Sequence, residues 1–361
     1  MRVTLVLTHQ CNMRCTYCYA GDKFSKAMPE QTAWKAIRQA FARDDGEPVT
    51  IAFFGGEPML AFDRMVASAR LARKLGQRLG RRVIFSLTTN GTVMHERALR
   101  FFREYGFYVG VSLDGLAEEQ DRRRPMVGGQ GSFERIWRNL ELAAQWLSRI
   151  DVMMVVSPDT VAKIPAAVSR MRDIGLYRAS LIPNVDEPWS ESARDAARTA
   201  YRRLARIYLD TRTTDRPMFV HPFVEHRAAR EAQAQGQPNG ACGASSACGF
   251  GEREIAVAPS GRIYPCARLV SDDRRPEIAL GHVDGGCDPS RVAALQTEAE
   301  EANAACGNGG SCKCVPHMPG YDAEHGERLH FLQTLSIEAL DTEMAPSVIA
   351  ASDAAVLALA I

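Results

Sequence analysis

Six repeats of strand and helix predict an α/β fold, a partial (βα)6 barrel of parallel strands followed by a small Cys-rich domain and a C-terminal helix. Three observations carry this. Short β-branched apolar runs alternate with helical periodicity over residues 1–212. The rhythm then gives way to short, Gly-rich and Cys-rich segments. The composition is that of an ordinary globular chain, with 46% hydrophobic and 24% charged residues in 361. Strands alternating with helices argue for a parallel sheet with helical crossovers, and six units are too few for a closed eight-fold barrel.

The elements follow in order. Val3–Thr8 reads as the first strand, and Pro29-Glu30 opens a helix to about Arg43, with Ala33, Ile37, Ala40 and Phe41 on one face. Five further pairs follow: strand 49–54 with helix 60–79, 83–88 with 96–105, 108–113 with 133–148, 152–156 with 160–174, and 179–183 with 191–208. Residues 213–241 read as a connector ending in Gly236-Gln237-Pro238-Asn239-Gly240. Residues 242–325 form the Cys-rich domain, with one hairpin (254–258, turn, 262–264), and residues 326–361 form a helical tail. Catalytic groups are expected just after the C-terminal ends of the strands.

Charge is balanced, 44 basic against 43 acidic residues, so no global field favours nucleic acid or an anionic membrane. No apolar run is long enough to span a membrane, and the N-terminus lacks a secretory core and cleavage site, so a cytoplasmic protein is expected.

The ten cysteines are distributed unevenly: Cys11, Cys15 and Cys18, then none until Cys242, Cys248, Cys266, Cys287, Cys306, Cys312 and Cys314. A disulfide framework suits small secreted chains, whereas clustered thiols in a reducing compartment point to metal. The first three leave gaps of three and two residues directly after the first strand. Three thiolates suit a four-iron, four-sulfur cluster with one iron left open, and zinc is the alternative.

This Cys11-x3-Cys15-x2-Cys18 loop resembles that of the radical S-adenosylmethionine (AdoMet) superfamily. Later segments resemble it in order. Gly55-Gly56-Glu57-Pro58 matches the motif that receives the AdoMet amino group; glycines admit a close ligand and Glu57 offers charged acceptors. Thr89-Asn90-Gly91-Thr92 and Ser112-Leu113-Asp114-Gly115 match two further segments, implying AdoMet contacts at Asn90 and Ser112. In Gln120-Asp121-Arg122-Arg123-Arg124, Gln120 stands where the family has His, and Arg124 takes the position implied to pair with the AdoMet carboxylate. Tyr17 occupies the aromatic position implied to pack near adenine.

Cys248-x12-Gly261-x4-Cys266 resembles the opening of the SPASM domain, which carries auxiliary iron–sulfur clusters. The resemblance implies one such cluster on Cys242, Cys248, Cys266 and Cys314. A second would use Cys306, Cys312 and Cys287, with His317 or an external group as a further ligand. One auxiliary cluster and two both remain open: the family's next Cys falls at Asn303, and the gap from Cys312 to Cys314 is one residue.

The resemblance implies reductive cleavage of AdoMet and hydrogen abstraction from an unactivated carbon of a peptide or protein substrate. The outcome expected is a crosslink or an oxidation in a ribosomally made peptide. An electron donor such as a flavodoxin or ferredoxin is implied as partner. The alternatives are formylglycine formation, a small-molecule radical dehydrogenase, and a non-catalytic iron–sulfur scaffold. Sulfatase-maturing enzymes carry an acidic residue after the third auxiliary Cys, where this chain has Ala267-Arg268.

Overall fold

The computed structural model describes residues 1–42, 46–234, 249–305, 313–318 and 321–344. All six expected strands form: β1 (Arg2–Val6), β2 (Val49–Phe54), β3 (Val83–Thr89), β4 (Tyr108–Ser112), β5 (Ile150–Val156) and β6 (Arg178–Pro183). They pair in parallel in sequence order, through registers such as Leu5↔Phe53, Phe53↔Leu87 and Met154↔Leu181. The crossover helices are α1 (Glu30–Ala42), α2 (Phe62–Leu79), α3 (Glu96–Tyr105), α5 (Phe133–Trp146), α6 (Ile164–Asp173) and α7 (Glu191–Thr211), with a short α4 (Ala117–Arg123) preceding α5. Left-handed glycines end α2 at Gly80 (φ 65°) and α3 at Gly106 (φ 64°), so each chain reversal sits where a side chain would be strained.

Burial along the strands reveals an open lumen. In β5, Ile150, Val152, Met154 and Val156 are buried, while the intervening Asp151, Met153 and Val155 are half-buried. Strands of a doubly covered parallel sheet are buried on both faces, so this alternation marks one face packed on helices and one facing a cavity. The core lies between strands and helices, from Val3 and Leu5 through Ile51, Phe53, Leu87, Val109, Val111, Val152 and Met154.

The structure corrects two expectations. The connector over 213–241 contains a seventh parallel strand, β7 (Phe219–His221), and a helix, α8 (Phe223–Ala234). Three residues are too few for a readable alternation, and Pro222 between the two elements masked both. The Cys-rich segment also joins the barrel. Its hairpin, β8 (Glu254–Val257) and β9 (Arg262–Tyr264), places β8 parallel to β1, with Val3↔Ile255 and Leu5↔Val257. Two short strands, β10 (Gly281–His282) and β11 (Gly286–Cys287), complete one sheet in the order β11-β10-β9-β8-β1-β2-β3-β4-β5-β6-β7. Ile255, Val257 and Ile263 thus belong to the same core as the barrel strands. Helix α9 (Pro289–Ala305) follows; of the helical tail expected over 326–361, the part to Glu343 lies in α10 (Ala323–Glu343), packed on α7, and 345–361 lie outside the described residues. The sheet is open, as a partial barrel requires.

Candidate functional site

One cavity lies at the C-terminal ends of the parallel strands. It is lined by Cys11, Cys15, Tyr17, Cys18 and Tyr19 after β1, by Gly55, Gly56 and Glu57 after β2, by Thr88, Thr89 and Asn90 at the end of β3, and by Ser112 of β4. Arg124, Met153, Val155, Ile182 and the loop 183–186 close one side, and Arg268 and Met318 of the Cys-rich segment face them. Loops at these strand ends converge because all the strands run the same way.

The glycines are required by a close approach of chains. Gly55 has φ +147°, and a Cβ there would stand 2.4 Å from the Thr8 carbonyl oxygen. At Gly56 a Cβ would meet the carbonyl oxygens of Gln10 at 2.4 Å and His9 at 2.6 Å. The backbones are tied there: Gly56 N–H donates to Thr8 O (2.8 Å) and Glu57 N–H to Gln10 O (2.8 Å). The loop after β2 is thus fixed to the cysteine loop.

Glu57 differs from its expected role. Its carboxylate is wholly buried and accepts from Met59 N–H (2.9 Å), the Thr89 hydroxyl (2.7 Å) and Asn90 N–H (2.6 Å). It locks the loops after β2 and β3 together, so this turn offers main chain to the cavity. Burial pushes its carboxyl up to about 7, against the opposing pull of those three donors. Pro58 is buried at the first position of the following 3-10 turn and does not line the cavity.

Asn90 braces the cysteine loop. Its amide donates to Asn12 Oδ1 (2.9 Å) and Cys11 Sγ (3.8 Å), while its own oxygen accepts from Thr92 N–H (2.9 Å). Met13 N–H also donates to Cys11 Sγ (3.4 Å). On the other side, the Arg124 guanidinium reaches Cys15 Sγ (3.9 Å), Asp114 Oδ2 (3.0 Å) and the face of Tyr17 (5.2 Å). Arg124 is thus held by a protein carboxylate rather than left open for a ligand's. Asp114, 1% exposed, also accepts from Tyr17 OH and Val155 N–H (3.0 Å). Gln120 accounts for its departure from His: its carbonyl accepts from Asp114 N–H (2.9 Å) and its amide donates to Ser132 Oγ (2.9 Å). The sequence places Asp114 inside a motif but carries no sign of its burial beside an arginine.

Burial pushes the Cys15 thiol up to about 11, with Arg124 opposing, and raises Cys11 as well. N–H donors and a cation around these sulfurs suit thiolates, whose charge a metal would stabilise. Among the described residues no three His, Cys, Asp or Glu side chains close around one point as for a single ion. The donor set fits a cluster, in which each thiolate binds its own iron.

Of the other cysteines, Cys242, Cys248, Cys306 and Cys312 lie outside the described residues. Cys266 follows β9 and Cys314 is buried at the start of a 3-10 turn. Both, with Cys18, lie close enough to Tyr19 to disfavour its phenolate, although burial is the main cause of its raised pKa. Tyr19 therefore stands between the two cysteine regions, with Phe54 stacked on it and Arg268 over its ring. Cys287 is exposed in β11. His317, expected as a possible cluster ligand, is otherwise engaged: Nε2 meets Leu295 O at 2.9 Å, Nδ1 faces Glu298 at 3.9 Å, and the ring stacks on Phe250.

Comparison with known proteins places this geometry. The Radical SAM superfamily profile matches residues 5–171. The chain is 26% identical over 290 residues to the cysteine-type anaerobic sulfatase-maturating enzyme of Clostridium novyi, covering 76% of this chain and 74% of that protein. It is 28% identical over 285 residues to the serine-type enzyme of Klebsiella aerogenes, covering 76% and 67%. Its fold matches anSMEcpe with bound AdoMet at a TM-score of 0.73 and 19% identity, over 94% of this chain and 98% of that one. It also matches Streptococcus suis SuiB bound to S-adenosylmethionine at 0.61 and 13% identity, over 90% and 75%. The matched profile contains the three thiols and the glycine turn that share the cavity, and the chain belongs to the radical SAM superfamily.

Proposed function

We propose that this radical SAM enzyme modifies a ribosomally made peptide, introducing a crosslink or an oxidation at a carbon. The observation that carries the reading is one cavity lined together by Cys11, Cys15, Cys18 and the main chain of Gly55 and Gly56. The superfamily's cofactors are a 4Fe–4S cluster and AdoMet; when bound they supply hydrogen-atom abstraction from an unactivated carbon. The chain's own residues hold and shield them. The three cysteines bind the cluster through thiolates. The Gly55–Glu57 main chain, Asn90 and Ser112 line the AdoMet side, Tyr17 packs there, and Arg124 with Asp114 fixes Tyr17 and the Cys15 loop. Met153, Val155, Ile182 and Met318 give an apolar wall that excludes water and competing hydrogen donors.

Auxiliary clusters fit the second cysteine region, where Cys266 and Cys314 lie across Tyr19 from Cys18. A peptide substrate is favoured by the relatives, which include sulfatase-maturating enzymes. A structure of anSMEcpe holds AdoMet and the Cp18Cys peptide, and one of SuiB holds the precursor peptide SuiA. Formylglycine formation is the second reading, favoured by the same relatives; Ala267, in place of a carboxylate after Cys266, weighs against it. A separate leader-binding protein, an electron donor and a cytoplasmic location complete the proposal; no helix among the described residues is long and apolar enough to cross a membrane. Co-expression with short peptides encoded beside the gene tests it. Hydrogen loss from one peptide, with its deuterium recovered in 5′-deoxyadenosine, is expected. Formylglycine in a sulfatase-derived peptide, with no change in any encoded neighbour, would favour the second reading.

A further inference from the structure

Crosslinking and oxidation each remove two hydrogens from a peptide, one as an atom and one as a proton with a separate electron, so the proposed chemistry needs a proton acceptor at the cavity. Among the described residues lining it, only Glu57 and Asp186 carry carboxylates, and none is a histidine. Glu57 is wholly buried and occupied by three internal donors. Tyr17 donates its hydroxyl hydrogen to Asp114, and Lys23, Arg124 and Arg268 are cations. Asp186, in the loop after β6, presents an accessible carboxylate at the cavity mouth, its side chain 49% exposed.

Behind Asp186 stands a histidine held by a second carboxylate. His325, in the first turn of α10, presents Nε2 to Asp186 Oδ1 at 3.7 Å. Its Nδ1 lies 2.7 Å from Asp322 Oδ1 and 3.3 Å from the Asp322 backbone nitrogen. The shorter contact, to a carboxylate, sets the ring proton on Nδ1 and leaves the Nε2 lone pair toward Asp186. The ring is 14% exposed and flanked by Tyr321. Arg328, one turn on, is paired with Glu324 and donates to Val185 O (3.1 Å), which fixes α10 to the loop. The loop is also held from within: Asp186 N–H donates to Asn184 Oδ1 (3.2 Å), Asn184 Nδ2 to Ser157 Oγ (3.0 Å), and Arg123 pairs with the adjacent Glu187 (2.8 Å). Carboxylate and imidazole thus meet from two anchored elements.

We propose that Asp186 is the proton acceptor of the reaction, with His325 and Asp322 as the relay behind it, a role that rests on the peptide-modifying reading above. The substrate C–H bond breaks homolytically, its hydrogen atom ending in 5′-deoxyadenosine. The X–H bond of the peptide hydroxyl, thiol or amide that meets the carbon radical then breaks, its proton passing to the Asp186 carboxylate. The C–X bond forms or becomes double, and the one electron left over reduces an oxidised auxiliary iron–sulfur cluster. His325 Nε2 takes the proton from Asp186 and releases it to solvent, and Asp322 steadies the imidazolium in between.

The probe is the encoded peptide that the wild type modifies, deuterated at carbon and given to reconstituted holoenzyme. Wild type should yield one modified peptide per deuterated 5′-deoxyadenosine. D186N should still move deuterium into deoxyadenosine within about threefold of wild type, while modified peptide per deoxyadenosine falls at least about tenfold, as for a lost general base. H325Q should lower that ratio less, and D186E should restore most of it. D341N, at the far end of α10, should match wild type. A retained ratio in D186N overturns the proposal, as does deuterium transfer that falls in step with product, the mark of a merely structural residue. Ring-proton NMR of the full chain reads the pair without substrate. With His325 assigned from H325Q, its titration midpoint should fall by about half a unit in D186N, which removes the facing negative charge. An unchanged midpoint also overturns the proposal. A wild type that takes no deuterium from any encoded peptide overturns the peptide reading instead.

Discussion

Glu57→Ala should destabilise the protein before any cofactor binds, because the carboxylate is an internal strut. It accepts three buried hydrogen bonds, from Met59, Thr89 and Asn90. Hydrogen bonds to a charged group contribute about 1.5–3 kcal/mol each. Burial of the charge outweighs these donors and lifts the carboxyl to about 7 from an ordinary 4.5, so at pH 7 the group is about half neutral. Three bonds of strength between the neutral and the charged kind, about 1–2 kcal/mol each, give a loss of about 3–6 kcal/mol in Glu57→Ala at pH 7. With an unfolding entropy of about 2.1 cal/mol/K per residue, that lowers the Tm of the metal-free protein by about 4–8 °C. The pH dependence gives a separate signature. Between pH 4.5 and 7 the folded state holds a proton that the unfolded chain has released. The contribution is therefore fully present below about pH 4.5 and is lost as pH rises through 7. Glu57→Gln keeps acceptors for two donors, sets its amide against Asn90 N–H, and removes the titration. Its Tm should be lower at pH 5, and the gap to wild type should narrow toward pH 7.5. Anaerobic thermal melts of metal-free protein from pH 5 to 8 measure both effects. A Glu57→Ala Tm within about 1 °C of wild type, with parallel pH profiles for wild type and Glu57→Gln, would refute the strut.

Three further outcomes are expected. Gly56→Ala drives a Cβ into the Gln10 and His9 carbonyls, displaces the cysteine loop, and should lower cluster retention on reconstitution, read by iron content. Asn90→Ala removes an N–H donor from Cys11 Sγ, so the cluster should be harder to reduce; redox titration followed by paramagnetic resonance should give a more negative potential. Reconstituted protein should hold about twelve irons if two auxiliary clusters form and about eight if one does, and Cys287→Ala and Cys306→Ala should each lower the count only in the first case.

The barrel was legible because each of its first six units is long enough to reveal its period, and the helix stripe Ala33, Ile37, Ala40 and Phe41 is buried as read. What escaped was short or set by tertiary pairing. β7 has three residues, and β8 joins β1 through contacts spanning some 250 positions, which no local pattern encodes. The site followed the same division. Motif order located the cavity-lining Cys11, Cys15, Cys18, Gly55, Asn90, Ser112 and Arg124. Side-chain direction was not legible: Glu57 turns into the protein, Arg124 spends its charge on Asp114, and Pro58 lies off the cavity. The second cysteine region was read from spacing alone, and only Cys266, Cys287 and Cys314 of it lie among the described residues.

The proposed chemistry requires Cys11, Cys15 and Cys18 to hold the cluster that cleaves AdoMet. Its most direct test is 5′-deoxyadenosine formation by anaerobically reconstituted protein under dithionite, compared between wild type and the variant with all three changed to Ala. Deoxyadenosine and methionine are expected from wild type, and none from the triple variant, which still retains iron on its remaining cysteines. Undiminished deoxyadenosine from the triple variant would contradict it.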